Sequence, residues 1–241
     1  MTKLVALLHG GPTDRAARRQ LLLDTLSPRL LALGLDGLII TVADEAADVP
    51  GPNPFPVRDA PVAVVNLYGG TTAHLDLLRD AGFRVHAWQV DETIPTTWGD
   101  TPHAGPHAGP RDWPDGARSP GVTAVSLIRR RPDLDDAAFL AAWHGRMSPV
   151  SARIQPRIRY VRNHLRTALT PDAPDWSAIV EEAWPTPRHV TNPMLFYGAS
   201  NPLQLVRHAV EILAAVNAIT RPWQVVTFMA SEWCLKTPPT G

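Results

Sequence analysis

The chain has 241 residues, long enough to bury a real core, and its 23 Lys+Arg against 23 Asp+Glu give a formal net charge of zero. That balance excludes the basic footprint of a nucleic-acid binder or of a protein held by charge on anionic lipid. A single cysteine, Cys234, excludes an internal disulfide and is expected of a reducing cytoplasm, while no run is apolar and long enough to span a bilayer or, at residues 4–8, to form a signal-peptide core.

Residues 3–9, KLVALLH, form an apolar run that predicts a strand, broken by Gly10-Gly11-Pro12. Thr13 or Asp14 is placed to cap a helix reaching about Leu33, with Leu22, Leu26, Leu30 and Leu33 on one face and Pro28 kinking it. Residues 35–42 predict a second strand and 44–61 a polar, then proline- and glycine-rich loop. A strand over 62–67, a helix over 71–81 and a strand over 83–90 complete a βαββαβ order.

Residues 95–120 contain HAGPHAGP and no periodic apolar pattern, and read as a linker across one end of the fold. His103 and His107 sit four apart, but glycine and proline deny them a helix, so a solvated linker is favoured over metal binding. After it, residues 122–128 predict a buried strand. Asp135 or Asp136 is placed to cap a helix whose Phe139, Trp143, Met147 and Val150 share a face, kinked or ended by Pro149. Residues 158–165 alternate as a strand, with Ile158, Tyr160, Arg162 and His164 on one side. Residues 178–183 are a third strand. Asn201-Pro202 opens a helix to about Ile219, and residues 223–230 are the last strand.

The second half therefore repeats the first. Leu26-Ser27-Pro28 matches Met147-Ser148-Pro149 at an offset of 148 − 27 = 121, which also sets Leu4 on Val125 and Leu38 on Arg159. Phe83-Arg84-Val85 matches Trp223-Gln224-Val225 at 223 − 83 = 140. Leu22 and Arg18 stand where Trp143 and Phe139 do, so the first copy is degenerate. Each unit makes an antiparallel sheet with helices on one face, leaving the other face to be buried. The fold class expected is α+β, two ferredoxin-like βαββαβ repeats packed sheet to sheet as an α+β barrel: residues 1–94, a linker over 95–120, and residues 121–241. A monomeric pseudo-dimer or a higher homo-oligomer is expected.

Phe139, Trp143 and Pro149, the Arg159-Tyr160-Val161-Arg162-Asn163-His164 strand, and Ala178-Ile179-Val180-Glu181-Glu182 together resemble the EthD family of dimeric α+β barrel proteins. The family's helix histidine falls on Met147; the nearest histidine is His144. The resemblance implies a small hydrophobic or aromatic ligand held between sheet and helices, and no nucleic-acid or membrane partner. It implies a lyase, dehydratase or cyclase working without a cofactor or metal by His/Tyr/Glu acid–base chemistry. The alternatives are an oxidoreductase or accessory protein of an oxidative degradation pathway, and a non-catalytic binding barrel, which Met147 favours.

Phosphate-loop, nucleophile-elbow, Cys-x-x-Cys and His-Glu-x-x-His motifs are absent from the sequence. The strand alternation and the resemblance together make His164, Tyr160, Glu181 and His144 the catalytic candidates, with Trp143, Met147 and Phe228 as pocket walls. Each has a plainer role. Tyr160 suits a half-buried core position, and His144 a solvent-facing or carbonyl-capping one. Glu181 and Glu182 point to opposite faces of their strand; Glu181 is preferred because it matches the family's glutamate, and a salt bridge to an arginine is an equal alternative. His86 shares a side with Arg84 and Trp88, where a hydrogen-bonded core histidine is the default.

Overall fold

Strands that are apolar on both faces need cover on both faces, and a closed barrel wrapped by helices supplies it. The computed structural model describes residues 2–52 and 59–239. In β1 (Lys3–Gly10), Leu4, Ala6 and Leu8 pack outward against Leu22, Leu26 and Leu30, while Val5 and Leu7 point into the barrel against Trp88, Val125 and Phe228. The other strands are β2 (Gly37–Val42), β3 (Ala63–Tyr68), β4 (Phe83–Thr96), β5 (Val122–Ile128), β6 (Arg159–Ala168), β7 (Ala178–Trp184) and β8 (Val225–Lys236). They close in the order β1-β3-β2-β8-β5-β7-β6-β4, all neighbours antiparallel. This is two ferredoxin-like βαββαβ repeats packed sheet to sheet as an α+β barrel.

Closure depends on two strands longer than expected. β4 pairs with β1 through residues 83–90 and with β6 through Trp88–Thr96, where Pro95, which has no N–H to donate, falls in a register shift. β8 pairs with β5 up to Ala230 and with β2 from Ser231. The first repeat thus reaches Thr96 rather than Ile94. Residues 97–121 hold turns and one bridge, Arg118 to Trp233. Residues 53–58 of the loop expected at 44–61 lie outside the described residues; its near end holds a 3-10 turn, Glu45–Ala47, capped by Asp44.

The pairing corrects the repeat alignment. Val5 faces Asn66 and Trp88, and Val125 faces Glu181 and Phe228, so β1 maps on β5 at 125 − 5 = 120 and β4 on β8 at 228 − 88 = 140. Ile39 faces Asn66 as Val161 faces Glu181, giving 161 − 39 = 122 for β2 and β6. An offset of 121 would set outward Leu4 on inward Val125, because one residue of slip reverses every side chain. The helices do keep 121. α1 (Arg15–Gln20) and α2 (Ser27–Ala32) flank a π segment, Leu21–Leu26; α4 (Asp136–Ala142) and α5 (Ser148–Ile154) flank another, Trp143–Met147. Pro28 and Pro149 cannot donate to the carbonyl four residues back, and the ladder widens instead: Ser27 N–H bonds Leu22 O and Ser148 N–H bonds Trp143 O. Each proline thus bulges its helix without ending it. Asp14 and Asp135 are the caps, accepting from Ala17 N and Ala138 N at 2.7 Å.

The remaining helices are α3 (Thr72–Asp80), α6 (Arg188–Thr191), α7 (Pro193–Phe196) and α8 (Pro202–Asn217). Asn201 caps α8 by accepting from Gln204 N at 2.9 Å. α6 and α7 fill the longer connection after β7.

The barrel interior divides into two layers. Near one end lie Val5, Leu7, Trp88, Val125, Leu165 and Phe228. Beyond them is a buried polar network. Lys3 donates to Glu92 (2.5 Å) and to Asn163 Oδ1 (2.8 Å), and Tyr68 donates to Glu92 (2.7 Å). Glu181 accepts from Thr41 (3.1 Å), Asn66 (3.2 Å) and Asn163 (3.3 Å). Arg159 pairs with Glu232, which also accepts from Ser119 at 2.9 Å. Glu92 and Glu232 occupy equivalent places, since 232 − 92 = 140, and each faces its pseudo-symmetric partner strand, at Asn163 and at Thr41.

Candidate functional site

The outer face of the second sheet is only partly filled by its helices. Ser126 and Ile128 of β5 and Val180 and Glu182 of β7 form the floor of a cavity of about 340 Å³. Ile212, Leu213 and Val216 of α8 form its roof, Met147 of the π segment one side, and Phe196 and Tyr197 beyond α7 another. The π segment shapes this wall: it seats Trp143 fully buried beneath and leaves Met147 at the cavity. The lining is mostly apolar with few polar groups, as small-molecule sites are.

Among the described residues, Glu182 is the charged side chain on that lining. It pairs closely with the guanidinium of Arg157, which is 3% exposed, stacks on Tyr160 at 3.9 Å and donates to Ser151 Oγ at 2.9 Å. A carboxylate held by a buried arginine on one side keeps lone pairs for a ligand hydroxyl on the other. Gln155 and Thr220 add neutral polar groups. Burial pushes the Tyr197 phenol above its ordinary range.

The residues expected from the sequence divide between three places. Met147 lines the cavity. Trp143 is behind it, donating from Nε1 to the Tyr160 hydroxyl at 3.2 Å, and Ser148 Oγ lies 3.3 Å from the same hydroxyl. Tyr160 is fully buried and its phenol is occupied by these neighbours. His164 lies further along the same face of β6, its Nε2 2.9 Å from Asp136 Oδ1. Asp135 takes the cap, which leaves Asp136 for this histidine and for Arg166 at 3.2 Å. His144 sits near His164 and Arg162; burial, then Arg162, lowers its pKa. Neither histidine lines the cavity. Glu181 and Phe228 are inside the barrel, on the opposite side of the sheet from the cavity, because they occupy inward positions of β7 and β8.

Glu182, Arg157, Phe196 and Tyr197 were not among the expected site residues. Glu182 had a signal, since it neighbours Glu181. Phe196 and Tyr197 had none, because the connection that carries them has no counterpart in the first repeat. In the linker, His103 Nε2 bonds Ala152 O at 2.8 Å. Among the described residues no group of three His, Cys, Asp or Glu is arranged to hold a metal, and no helix is long and apolar enough to cross a membrane.

A second buried pair, His9 and His86, stands at the barrel mouth with ring centroids 4.8 Å apart. Burial lowers the pKa of His9, with Asp59 opposing and His86 reinforcing the shift; His74, His144 and His189 are also lowered by burial. The folded state therefore favours neutral imidazoles, while the unfolded chain takes up protons near the ordinary value of 6.5. Stability is full above that value and falls as pH drops below it. The thermal midpoint is expected to fall between about pH 7.5 and about pH 5. His9→Gln should lessen the fall, and a midpoint independent of pH over that range would contradict the assignment.

No family model and no curated protein matches the chain. Among solved structures, an anthrone oxidase-like protein superposes over 99% of this chain and 95% of its own, at TM-score 0.57 and 12% identity. The fold is that of the dimeric α+β barrels. Chlorite dismutase from Candidatus Nitrospira defluvii, in complex with imidazole, covers 97% of this chain and 92% of its own at TM-score 0.49 and 9% identity. Identities this low speak for the fold alone. The chain carries both halves of a barrel of that fold in one polypeptide.

Proposed function

We propose that this chain binds a small hydroxylated aromatic or otherwise hydrophobic molecule in the cavity between β5, β7 and α8. The observation that carries the reading is Glu182, paired with Arg157, on the floor of a mostly apolar cavity of about 340 Å³. Apolar walls supply burial, and the carboxylate accepts the ligand's hydroxyl proton in a hydrogen bond. The EthD-like motifs of the second half support an aromatic ligand.

As an enzyme, the chain would use Glu182 as a base, taking a proton from a hydroxyl or from carbon next to a carbonyl. That retains the lyase, dehydratase or cyclase chemistry expected from the sequence but gives the role of base to Glu182 in place of His164 or His144. Non-catalytic binding is the second reading. It is favoured by the distance of His144 and His164 from the cavity lining and by the occupied phenol of Tyr160.

The test uses 1-naphthol and 1-methylnaphthalene as probes. Glu182→Gln should weaken naphthol binding about tenfold, or about 1.4 kcal/mol, and leave the hydrocarbon's affinity unchanged. Equal losses for both probes, or none, would remove Glu182 from the role.

A further inference from the structure

α8 has two apolar faces. His208, Ile212 and Ala215 are buried on the inner one. On the outer one, Leu203, Val206, Val210 and Leu213 are 81%, 61%, 60% and 51% exposed. Their spacing of three, four and three is that of one seam of a paired helix. Trp223, 64% exposed, follows the C-terminal end of the same helix. Five of the seven exposed large hydrophobic residues among the described residues therefore lie on α8 or just past it, which is a patch and not scatter.

We infer that a second copy of this chain packs its α8 antiparallel on this stripe, completing the outer wall of the cavity. The stripe reads the same in reverse. Positions 203 and 213 sum to 416, as do 206 and 210, so an antiparallel copy sets Leu203 on Leu213 and Val206 on Val210, each twice about a two-fold axis. Charge fits as well. Arg207 and Glu211 are bonded at 2.9 Å in one copy. Their positions sum to 418, close to the register, so each Glu211 also comes within reach of the partner's Arg207. A formal net charge of zero leaves no long-range repulsion between copies.

A lipid surface suits the stripe less well. Interfacial helices flank the apolar face with free cations. Here Arg207 and Arg153 are both paired with Glu211. Leu213 belongs to the stripe and to the cavity lining, so the partner's leucine would cover the outside of the roof. This closure rests on the ligand reading above; the dimer itself does not.

The experiment weighs the full chain by light scattering during gel filtration at about 1–100 µM, the range of ordinary specific association. The expected mass is twice 26.3 kDa. Val210→Glu should return the monomer mass with an unchanged circular dichroism spectrum. The double change Val206→Cys with Val210→Cys should give a disulfide-linked dimer, whereas Val206→Cys alone should not, because Val206 meets Val210 and not itself; native Cys234 is buried. A wild-type monomer throughout that range, a dimer that survives Val210→Glu, or a Val206→Cys cross-link as efficient as the pair would overturn the interface. So would a monomer that sediments with phosphatidylcholine or phosphatidylserine vesicles. No ligand enters these measurements, so they fail or succeed apart from the cavity. If Val210→Glu becomes monomeric with naphthol affinity unchanged, the closure is overturned; a severalfold weaker affinity supports it.

Discussion

Replacing Arg159 with Leu is expected to cost about 3–5 kcal/mol of stability, the loss found when one partner of a buried ion pair is removed. Glu232 is 3% exposed and Arg159 is its pairing cation, so among the described residues the variant leaves a buried carboxylate with the hydroxyl of Ser119 as its side-chain partner. In a chain of this size that corresponds to a drop of roughly 6–20 °C in thermal midpoint. Removing the carboxylate as well, in the double variant with Glu232→Leu, should recover most of the loss, since two apolar side chains of suitable volume can replace a buried pair. The effect should centre on barrel closure, because Glu232 lies in the part of β8 that crosses to β2. A single variant within about 1 kcal/mol of wild type would show that the interior network does not hold the barrel together.

The order of elements was legible because its signals are local. Asp135 and Asn201 are caps whose partners lie three residues away, and Trp143 recurs with Phe139 on one helical face. The far ends of β4 and β8 were not legible. DETIPT and SEWCLK are mixed in polarity, and the strands that accept them belong to the other repeat. The choice between Glu181 and Glu182 was hidden for a related reason. Both faces of β7 are covered, one by the barrel and one by helices, so alternation separates the two carboxylates without saying which faces a ligand. The assignment follows from what lies opposite: amides and a hydroxyl for Glu181, an arginine and a cavity for Glu182.

The other large effect is expected at the cavity floor. Val180 faces outward from β7 into the cavity, so Val180→Trp should fill much of it. Extra volume usually strains a packed core, but here the added ring enters existing space, and the stability change should stay within about 1–2 kcal/mol. Naphthol binding should fall by about a hundredfold or more, equal to about 2.7 kcal/mol or more, because the ring occupies the ligand's place. The same substitution should leave the oligomeric mass unchanged, since Val180 lies beneath α8 and not on its outer stripe. Unchanged affinity in a folded Val180→Trp protein would place the ligand elsewhere.

A second cavity makes the direct test informative. The barrel mouth carries a polar groove lined by Trp88, Arg129, Arg166 and Trp176, also large enough for an aromatic ring. Crystals soaked in 4-bromo-1-naphthol and measured at the bromine absorption edge distinguish the two. The predicted result is one anomalous peak between β5, β7 and α8, close to Met147 and Ile212, with the naphthol oxygen directed at Glu182. A peak between Trp88 and Trp176, or none between the sheet and α8 at saturating probe, would contradict the proposed site.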